Sequence, residues 1–319
     1  MKINVLVLDG VFDTGLATVM DAFSTANELA QMQGLNSLRF DVTAVGVRRR
    51  VKTSQGLAVP VQRPERAPLP DWVVVPAIGY KMPGPLEQAL RRPDIADGVD
   101  ALQAWFGAGA NVAAACIGTF VLAESGLLQG HTATTTWWLA PLFRRRYPGV
   151  ALEEARMIVA SGRFITAGAA LSHVDMALTL VRHASPELAA MTARYLIVDS
   201  RPSQSAYAIS ENLAHSDPMV QRFERWARGR LADGFSLDEA AAALATSKRT
   251  LARRVGEVLG KTPLSYVQDL RVETAVHLLK TSSHNLEHIA TLVGYADGVT
   301  LRALLRRRLG RGVREIRAS

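Results

Sequence analysis

Residues 237–260 read LDEAAAALATSKRTLARRVGEVLG, and residues 286–310 read LEHIATLVGYADGVTLRALLRRRLG, a pattern repeated at a spacing of 49 to 50 positions. In each copy an alanine, Ala241 or Ala290, lies in an apolar stretch of helical period, where a second helix can pack closely. A short turn and a second amphipathic helix follow. The apolar face of that helix is formed by Leu251, Val255 and Leu259 in the first copy and by Leu301, Leu305 and Leu309 in the second. The pattern predicts a helix-turn-helix that occurs twice, with one more residue in the second turn.

The other face of each second helix is basic. A basic helix face by itself more commonly marks a solvated surface than a binding site. Its recurrence at the same place in two helix-turn-helix copies favours contact with a polyanion. The basic residues are Lys248, Arg249, Arg253 and Arg254 in the first copy and Arg302, Arg306, Arg307 and Arg308 in the second.

The charge of the chain is unevenly distributed. Of the 37 Lys and Arg and the 29 Asp and Glu residues, 18 and 10 respectively follow residue 219, so this part carries the whole net charge of +8. The first 219 residues hold 19 of each sign. A generally basic soluble protein would spread its charge over both parts. The asymmetry therefore predicts a polyanion-binding module joined to a neutral one.

The composition is that of a folded protein. Of the 319 residues, 48% are hydrophobic and 21% charged, and the length allows two domains with separate cores. No apolar run approaches the roughly 20 residues that span a bilayer, and the apolar stretch at residues 3–8 is too short for a secretory signal. We therefore expect a cytoplasmic protein with no membrane partner. The single cysteine excludes an internal disulfide and a cysteine cluster for zinc, and we expect neither a metal nor a cofactor.

Residues 1–199 alternate strand-like and helix-like segments, which implies an α/β domain with a mostly parallel sheet. Residues 200–218 are rich in Ser, Pro, Asn and Asp without a clear period, so we place a linker there. Residues 219–319 form the second, all-α domain, with further helices at 219–231 and 263–279. In the first domain, strands are predicted at 3–8, 40–46, 72–76 and 111–115, a hairpin at 50–62, and helices at 14–30, 95–109, 117–125, 138–147, 171–183 and 186–198.

The only cysteine lies between a predicted buried strand and a predicted helix, in VAAACIGTF at residues 112–120. This is the arrangement of a nucleophile elbow, and the helix amino terminus is expected to lower the pKa of the Cys116 thiol. The alternative is a cysteine that is buried, unreactive and important only for packing. A cysteine hydrolase also needs a base, and His131 and His173 are each more readily interpreted as surface or satisfied core residues, so the sequence assembles no catalytic dyad.

The second domain resembles the AraC/XylS family of bacterial transcription regulators. The resemblance covers the whole domain. It rests on FSLDEAA (235–241), SKRTLARR (247–254), GKTPLSY (260–266), RVETAVHLL (271–279), IATLVGY (289–295) and residues 301–310.

The first 200 residues resemble the PfpI-like, glutamine-amidotransferase-like domain that precedes such a DNA-binding domain in one regulator subfamily. The resemblance implies a flavodoxin-like sensor domain that dimerises and holds its ligand where catalytic relatives hold a Cys–His pair. Ile117 stands where the hydrolases carry histidine, and Thr136 where many regulator relatives do, which weakens an enzymatic interpretation. The resemblance rests on CIGTFVLA (116–123), GLLQG (126–130), ATTTW (133–137) and FITAG (164–168). The candidate ligand-binding residues are Asp13, Gly79, Cys116, Ile117, Thr136 and Trp137.

The AraC/XylS resemblance also assigns residues to DNA. The family's base-reading positions fall on Arg249, Ala252 and Arg253 in the first copy and on Gly298, Val299 and Arg302 in the second. The candidate DNA-binding residues are Lys248, Arg249, Thr250, Arg253, Arg254, Val299, Thr300, Arg302, Arg306 and Arg307. Lys248, Thr250, Arg254, Arg306 and Arg307 are expected to contact phosphates, which position the protein without specifying sequence.

Two functions remain open at this point. The first is a transcription regulator, not an enzyme, that senses a small metabolite and binds double-stranded operator DNA as a homodimer, with RNA polymerase as a further candidate partner. Relatives suggest an amine or an amino-acid derivative as the effector. The second is a cysteine-dependent hydrolase or glyoxalase-like enzyme that uses Cys116 and carries an accessory DNA-binding domain. Redox sensing by Cys116 is a third, weaker hypothesis.

Overall fold

The computed structural model describes residues 1–35, 37–199, 201, 203–204, 217–310 and 312–317. The chain divides into two compact units, residues 1–204 and 205–319. Most of the linker predicted at 200–218 lies outside the described residues. Within the described residues, no helix is both long enough and apolar enough to cross a membrane.

Unit 1 alternates strands and helices along the chain. Two short 3₁₀ turns lie at Pro64–Arg66 and Trp137–Leu139. In chain order the other elements are β1 (Lys2–Leu6), α1 (Asp13–Met32), β2 (Asp41–Val45), β3 (Val51–Lys52), β4 (Ala58–Val59), β5 (Trp72–Val75), α2 (Pro83–Ala89), α3 (Pro93–Gly107), β6 (Asn111–Ala115), α4 (Gly118–Glu124), β7 (Thr132–Ala133), α5 (Ala140–Arg146), β8 (Ala151–Leu152), β9 (Ile158–Ser161), β10 (Phe164–Ala167), α6 (Ser172–Ala184) and α7 (Pro186–Tyr195).

Six of these strands form one sheet in the order β2-β1-β5-β6-β10-β9. Neighbouring strands are parallel except for β9, which pairs antiparallel with β10 at the edge. Strand residues alternate between the two faces, so that Val73 and Val75 pack on one side and Val74 on the other. Both faces are buried under helices, which explains the continuous apolar runs of the strand sequences. The predicted α/β class with a mostly parallel sheet is confirmed.

Two helical layers cover the sheet. Helices α1, α6 and α7 contact one another on one face, where Phe23 and Leu180 are buried. Residues of α2 to α5, among them Leu102, Phe120 and Phe143, fill the core on the other face. The carboxyl ends of the parallel strands are thus left at one edge of a three-layer domain, where open sheets of this type bind ligands.

The passage from β6 into α4 depends on a glycine. A Cβ added to Gly118 would overlap the carbonyl oxygen of Val75 and lie 2.8 Å from that of Pro76, at the end of the neighbouring strand β5. Any side chain at this position would therefore push the start of α4 away from the sheet. The glycine lets the helix begin directly above the strand ends.

Unit 2 is helical, and one long helix runs through it. The α11 residues Tyr266, Val267 and Leu270 pack into the core of the first helix-turn-helix, and Val272, Ala275 and Leu279 pack into that of the second. The predicted single helix between the motifs is confirmed. The elements are α8 (Pro218–Arg228), α9 (Leu237–Ala243), α10 (Lys248–Leu259), α11 (Pro263–Thr281), α12 (Leu286–Leu292), α13 (Gly298–Leu309) and α14 (Val313–Arg317).

The two motifs have corresponding turns. After α9 the backbone of Ala245 adopts a left-handed φ of 52°, and after α12 Gly294 adopts one of 79°. The turn between α12 and α13 is one residue longer than the turn between α9 and α10, as the sequence predicts. Ser247 caps α10 by accepting a hydrogen bond from the amide of Thr250, and Asp297 caps α13 in the same way through Thr300.

Some elements differ from the sequence prediction. The helix predicted at 138–147 is a 3₁₀ turn at Trp137–Leu139 followed by α5, which begins at Ala140 and carries Pro141, whose missing amide is tolerated only in a first turn. The hairpin predicted at 50–62 is the antiparallel pair of β3 and β4. Helices α2 and α14 and strands β7 to β10 were not predicted, because all of them are short and carry no clear apolar period.

Replacing Gly118 by alanine should destabilise unit 1 by about 3 kcal/mol, since the new methyl group must displace backbone atoms of Val75 and Pro76. Urea unfolding followed by tryptophan fluorescence will measure this, because four of the five tryptophans precede residue 200. The control is Gly107→Ala at the end of α3, where an added Cβ meets nothing within 4 Å. Equal unfolding midpoints for the two variants would contradict the close approach at Gly118.

Candidate functional site

Three loops meet at the carboxyl edge of the sheet: the loop after β1, the loop after β5 and the turn between β3 and β4. The Gly79 amide donates to the carbonyl of Gly10 at 2.8 Å, and a Cβ on Gly79 would overlap the side chain of Ser54. The Ser54 hydroxyl donates to Asp13 Oδ2 at 2.7 Å, and the amide of Gln55 donates to the same oxygen at 3.1 Å. The structure therefore brings the predicted residues Asp13 and Gly79 together through Ser54, which sequence reasoning missed.

The Asp13 carboxylate is stabilised in its ionised form. Burial opposes ionisation, but hydrogen bonds from the side chains of Thr53 and Ser54 and from the amide of Gln55 outweigh it and hold the Asp13 pKa below its usual value. Asp13 is thus a negative charge at this edge at neutral pH.

Cys116 occupies the predicted sharp turn after β6. Its backbone adopts a left-handed φ of 55°, rare for a residue other than glycine. Two contacts hold this strained turn: the Cys116 amide donates to the carbonyl of Ala167 at 2.9 Å, and the Thr135 hydroxyl donates to the Cys116 carbonyl at 2.7 Å. Thr135, like Ser54, is a contributor that the sequence did not reveal.

The predicted lowering of the Cys116 pKa is wrong. Burial raises the pKa of the thiol to about 12, and the Ile117 amide and the Thr136 hydroxyl only partly offset this effect. The side chain is 3% exposed, and α4 is a helix of only two turns, so desolvation outweighs the helix amino terminus. At neutral pH the residue is a protonated thiol, which is a poor nucleophile.

The two histidines considered as partners lie apart from the thiol. His173 is fully buried; its Nε2 accepts from the Ala77 amide at 3.1 Å, and its Nδ1 lies 2.5 Å from the Ala170 carbonyl. His131 contacts Ser161 and stacks edge-on against Phe164, at the amino end of β10, whereas Cys116 follows the carboxyl end of the adjacent β6. His173 is therefore a satisfied core residue, and the described contacts do not join either ring to Cys116.

The remaining predicted ligand residues line the same edge. Ile117 is buried beside the thiol, and Thr136 is fully buried immediately before the 3₁₀ turn. Trp137 is half-buried and packs edge-on against Trp138, whose indole donates to the Lys81 carbonyl in the loop after β5. All the candidate residues except Asp13 thus lie in the loops after β5 and β6 or in the segment that leads into α5. These residues are Gly79, Cys116, Ile117, Thr136 and Trp137.

Gln204, far along the chain, also packs at this edge. Its side-chain amide is buried and donates to the carbonyls of Thr135 at 2.8 Å and Glu154 at 2.7 Å. A Cβ on Gly168 would lie 2.6 Å from Gln204 Oε1, so the glycine leaves room for this side chain. No sequence signal places Gln204 here, because it follows the last helix of the unit without a motif of its own.

Burial lowers the pKa of His173 from 6.5 to about 4, with the Ala170 carbonyl acting in the opposite direction. The unfolded chain therefore binds a proton below pH 6.5 that the folded unit does not bind until about pH 4, so stability should fall as the pH falls through this window. We expect His173→Gln, which keeps an acceptor for the Ala77 amide, to flatten this acid dependence of the urea midpoint. An unchanged dependence would exclude His173 as its source.

In unit 2 the predicted DNA-binding residues of the first motif lie on α10. Arg249 and Lys248 are exposed, and Lys248 pairs with Asp238 of α9 at 2.9 Å. Arg253 is 57% exposed. Thr250 and Arg254 are half-buried, the first at the helix cap and the second in contact with Asp217.

The second motif presents its predicted residues on α13. Val299 is 68% exposed, an unusual degree for an apolar side chain, and Thr300 beside it is also exposed. Arg302, Arg306 and Arg307 are exposed along the same helix. Gly298 is buried: its amide donates to Glu287 at 2.8 Å, which ties the start of α13 to α12.

Comparison with known proteins supports both halves of this description. Residues 1–183 match the DJ-1/PfpI family, and residues 240–319 match a helix-turn-helix domain family. The HTH-type transcriptional regulator GbdR of Pseudomonas aeruginosa is 26% identical over 302 residues, which is 93% of this chain and 78% of GbdR. The HTH-type transcriptional activator RhaS of Escherichia fergusonii is 34% identical over 110 residues, 34% of this chain and 40% of RhaS.

A solved structure supports the fold of unit 1. The crystal structure of a candidate transcriptional regulator from Vibrio parahaemolyticus covers 61% of this chain and 98% of its own, with a TM-score of 0.52 and 22% identity. The domain match extends over more than half of the chain. The chain belongs to the DJ-1/PfpI family and joins that domain to an AraC-type helix-turn-helix domain.

Proposed function

We propose that the protein is a transcription regulator that binds operator DNA through unit 2 and senses a small molecule through unit 1. One observation carries the proposal: a single unit contains two helix-turn-helix motifs whose second helices, α10 and α13, both expose basic side chains. Relatives that share the whole arrangement, such as GbdR, are named transcriptional regulators. A cytoplasmic location follows from this role.

We expect the two recognition helices of one unit to enter successive turns of the major groove on one face of the duplex, about 34 Å apart. Arg249, Arg253 and Arg302 have the planar fork that pairs with O6 and N7 of guanine. Exposed Val299 suits an apolar contact with a thymine methyl group, and Thr300 lies beside it. Phosphate contacts are assigned to Lys248, Thr250, Arg254, Arg306 and Arg307.

The effector is assigned to the carboxyl edge of the unit 1 sheet. The candidate residues there are Asp13, Gly79, Cys116, Ile117, Thr136 and Trp137. An ionised Asp13 suits the ammonium group of an amine or an amino-acid derivative. Dimerisation through unit 1 would double the length of DNA contacted, and RNA polymerase is a further candidate partner.

Catalysis is not part of the proposal. Two observations support a role without catalysis: the raised pKa of the Cys116 thiol, and the contacts of His131 and His173 with residues other than Cys116. A thiol that stays protonated at neutral pH suits packing or ligand contact better than nucleophilic attack.

The test is selection of a preferred sequence from random duplex DNA by the full-length protein, followed by affinity measurements at several salt concentrations. If about six phosphates are neutralised, log K should fall with log salt at a slope of about −5. Failure to enrich any sequence, or an affinity that does not depend on salt, would reject the proposed function.

The two motifs should contribute differently. Arg253→Ala should reduce the preference for the selected sequence by about 1 to 3 kcal/mol, because a base contact is lost. Arg307→Ala should weaken binding to the selected and to unrelated duplexes alike, because a phosphate contact is lost. Competition binding with both duplexes will measure this. An equal loss of preference in the two variants would contradict the assignment.

A further inference from the structure

Four side chains of alternating charge are linked across the first recognition helix. Asp217, the cap of α8, pairs with Arg254 of α10, and Arg254 Nη1 lies 3.3 Å from Glu257 Oε2. The other oxygen of Glu257 accepts from Arg253 Nη1 at 2.6 Å. Asp217 is itself fixed, because its side chain is 8% exposed and accepts from the amides of Met219 and Val220. The Arg253 guanidinium is therefore connected, through Glu257 and Arg254, to the half-buried residue that caps α8.

The chain of contacts leaves Arg253 available for DNA. Only its Nη1 atom is engaged by Glu257, and the side chain remains 57% exposed on the outer face of α10. Glu257 lies one helical turn further along the same face. The contact thus restrains the arginine without covering it.

The second motif lacks this device. At the positions fifty residues later, α13 has Ala303, Leu304 and Arg307 in place of Arg253, Arg254 and Glu257. Leu304 is buried in the core of its motif. A carboxylate inside the basic face is therefore particular to the first copy.

The negative charge of Glu257 on this basic face is unfavourable for electrostatic attraction to DNA. A carboxylate on this face repels phosphates and lowers affinity for every duplex, whatever its sequence. Contact between Arg253 and a base, in contrast, is favoured when the arginine side chain is already held in one orientation. A bidentate contact with guanine requires a fixed orientation of the guanidinium group, and a free arginine loses side-chain entropy when it adopts that orientation. Glu257 therefore lowers general affinity while restricting the arginine to few orientations.

We propose that Glu257 is a positioning residue that presents the Arg253 fork to a guanine, and so determines sequence specificity without itself contacting a base. The inference rests on the proposed function, since it concerns how the same DNA is read. On this inference, the first motif recognises a particular DNA sequence because it contains a carboxylate, and not because it carries more positive charge.

The experiment uses the full-length protein, the duplex selected in vitro and an unrelated duplex of equal length. Glu257→Ala should reduce the ratio of the two affinities about fivefold, with unchanged or tighter binding to the unrelated duplex. Asp233→Ala, which removes an equal charge from the turn after α8, is the matched control and should leave the ratio unchanged. Both substitutions lie at exposed positions, and circular dichroism will confirm that the variants fold.

A double-mutant cycle decides whether Glu257 acts through Arg253. In an Arg253→Ala background, Glu257→Ala should cause no further loss of the ratio. A ratio unchanged by Glu257→Ala alone, or a loss of equal size with and without Arg253, would overturn the inference. Those results leave the regulator proposal intact, since that proposal fails only if the wild-type protein selects no sequence or binds DNA with an affinity that does not depend on salt.

Discussion

The close approach of Gly118 to the carbonyls of Val75 and Pro76 is the constraint on which the candidate ligand-binding edge of unit 1 depends. Because the start of α4 lies directly against the end of β5, the chain between β6 and α4 must turn within two residues. Cys116 absorbs this turn in a left-handed conformation, and hydrogen bonds with Ala167 and Thr135 hold it there. The segment that provides Thr135 continues into Thr136 and Trp137. The approach of Gly118 to the end of β5 therefore positions this segment and the loops after β5 and β6 relative to one another.

The same compactness determines the chemistry of the edge. A nucleophile elbow in a hydrolase exposes its nucleophile, whereas here the turn is covered. Burial keeps both Cys116, in the turn, and the core residue His173 neutral. Among the candidate ligand residues, Asp13 is the ionised one, and it lies nearer to solvent at the start of α1. These properties support the proposal that the edge recognises a ligand by its shape and charge.

The sequence predicts most of the fold because apolar periodicity identifies long helices such as α1 and α11, and continuous apolar runs identify buried strands such as β1 and β6. Short elements, including α2 and β9, carry too few residues for a period to be recognised. Site residues were predictable where a motif surrounds them, as for Cys116, Arg249 and Arg253. Ser54, Thr135 and Gln204 were not, because their roles come from tertiary hydrogen bonds between distant segments. The sign of the Cys116 pKa change was also beyond the sequence, since it depends on how completely the turn is covered.

Helix α11 carries core residues of both helix-turn-helix motifs on one continuous helix from Pro263 to Thr281. Each inserted residue would turn one motif relative to the other by about 100° and move it by about 1.5 Å along the helix. An insertion or deletion in this segment would therefore change the orientation of α13 relative to α10. What the two motifs contact can therefore be altered by substitutions on α10 and α13, while α11 keeps the relative orientation of these two helices constant.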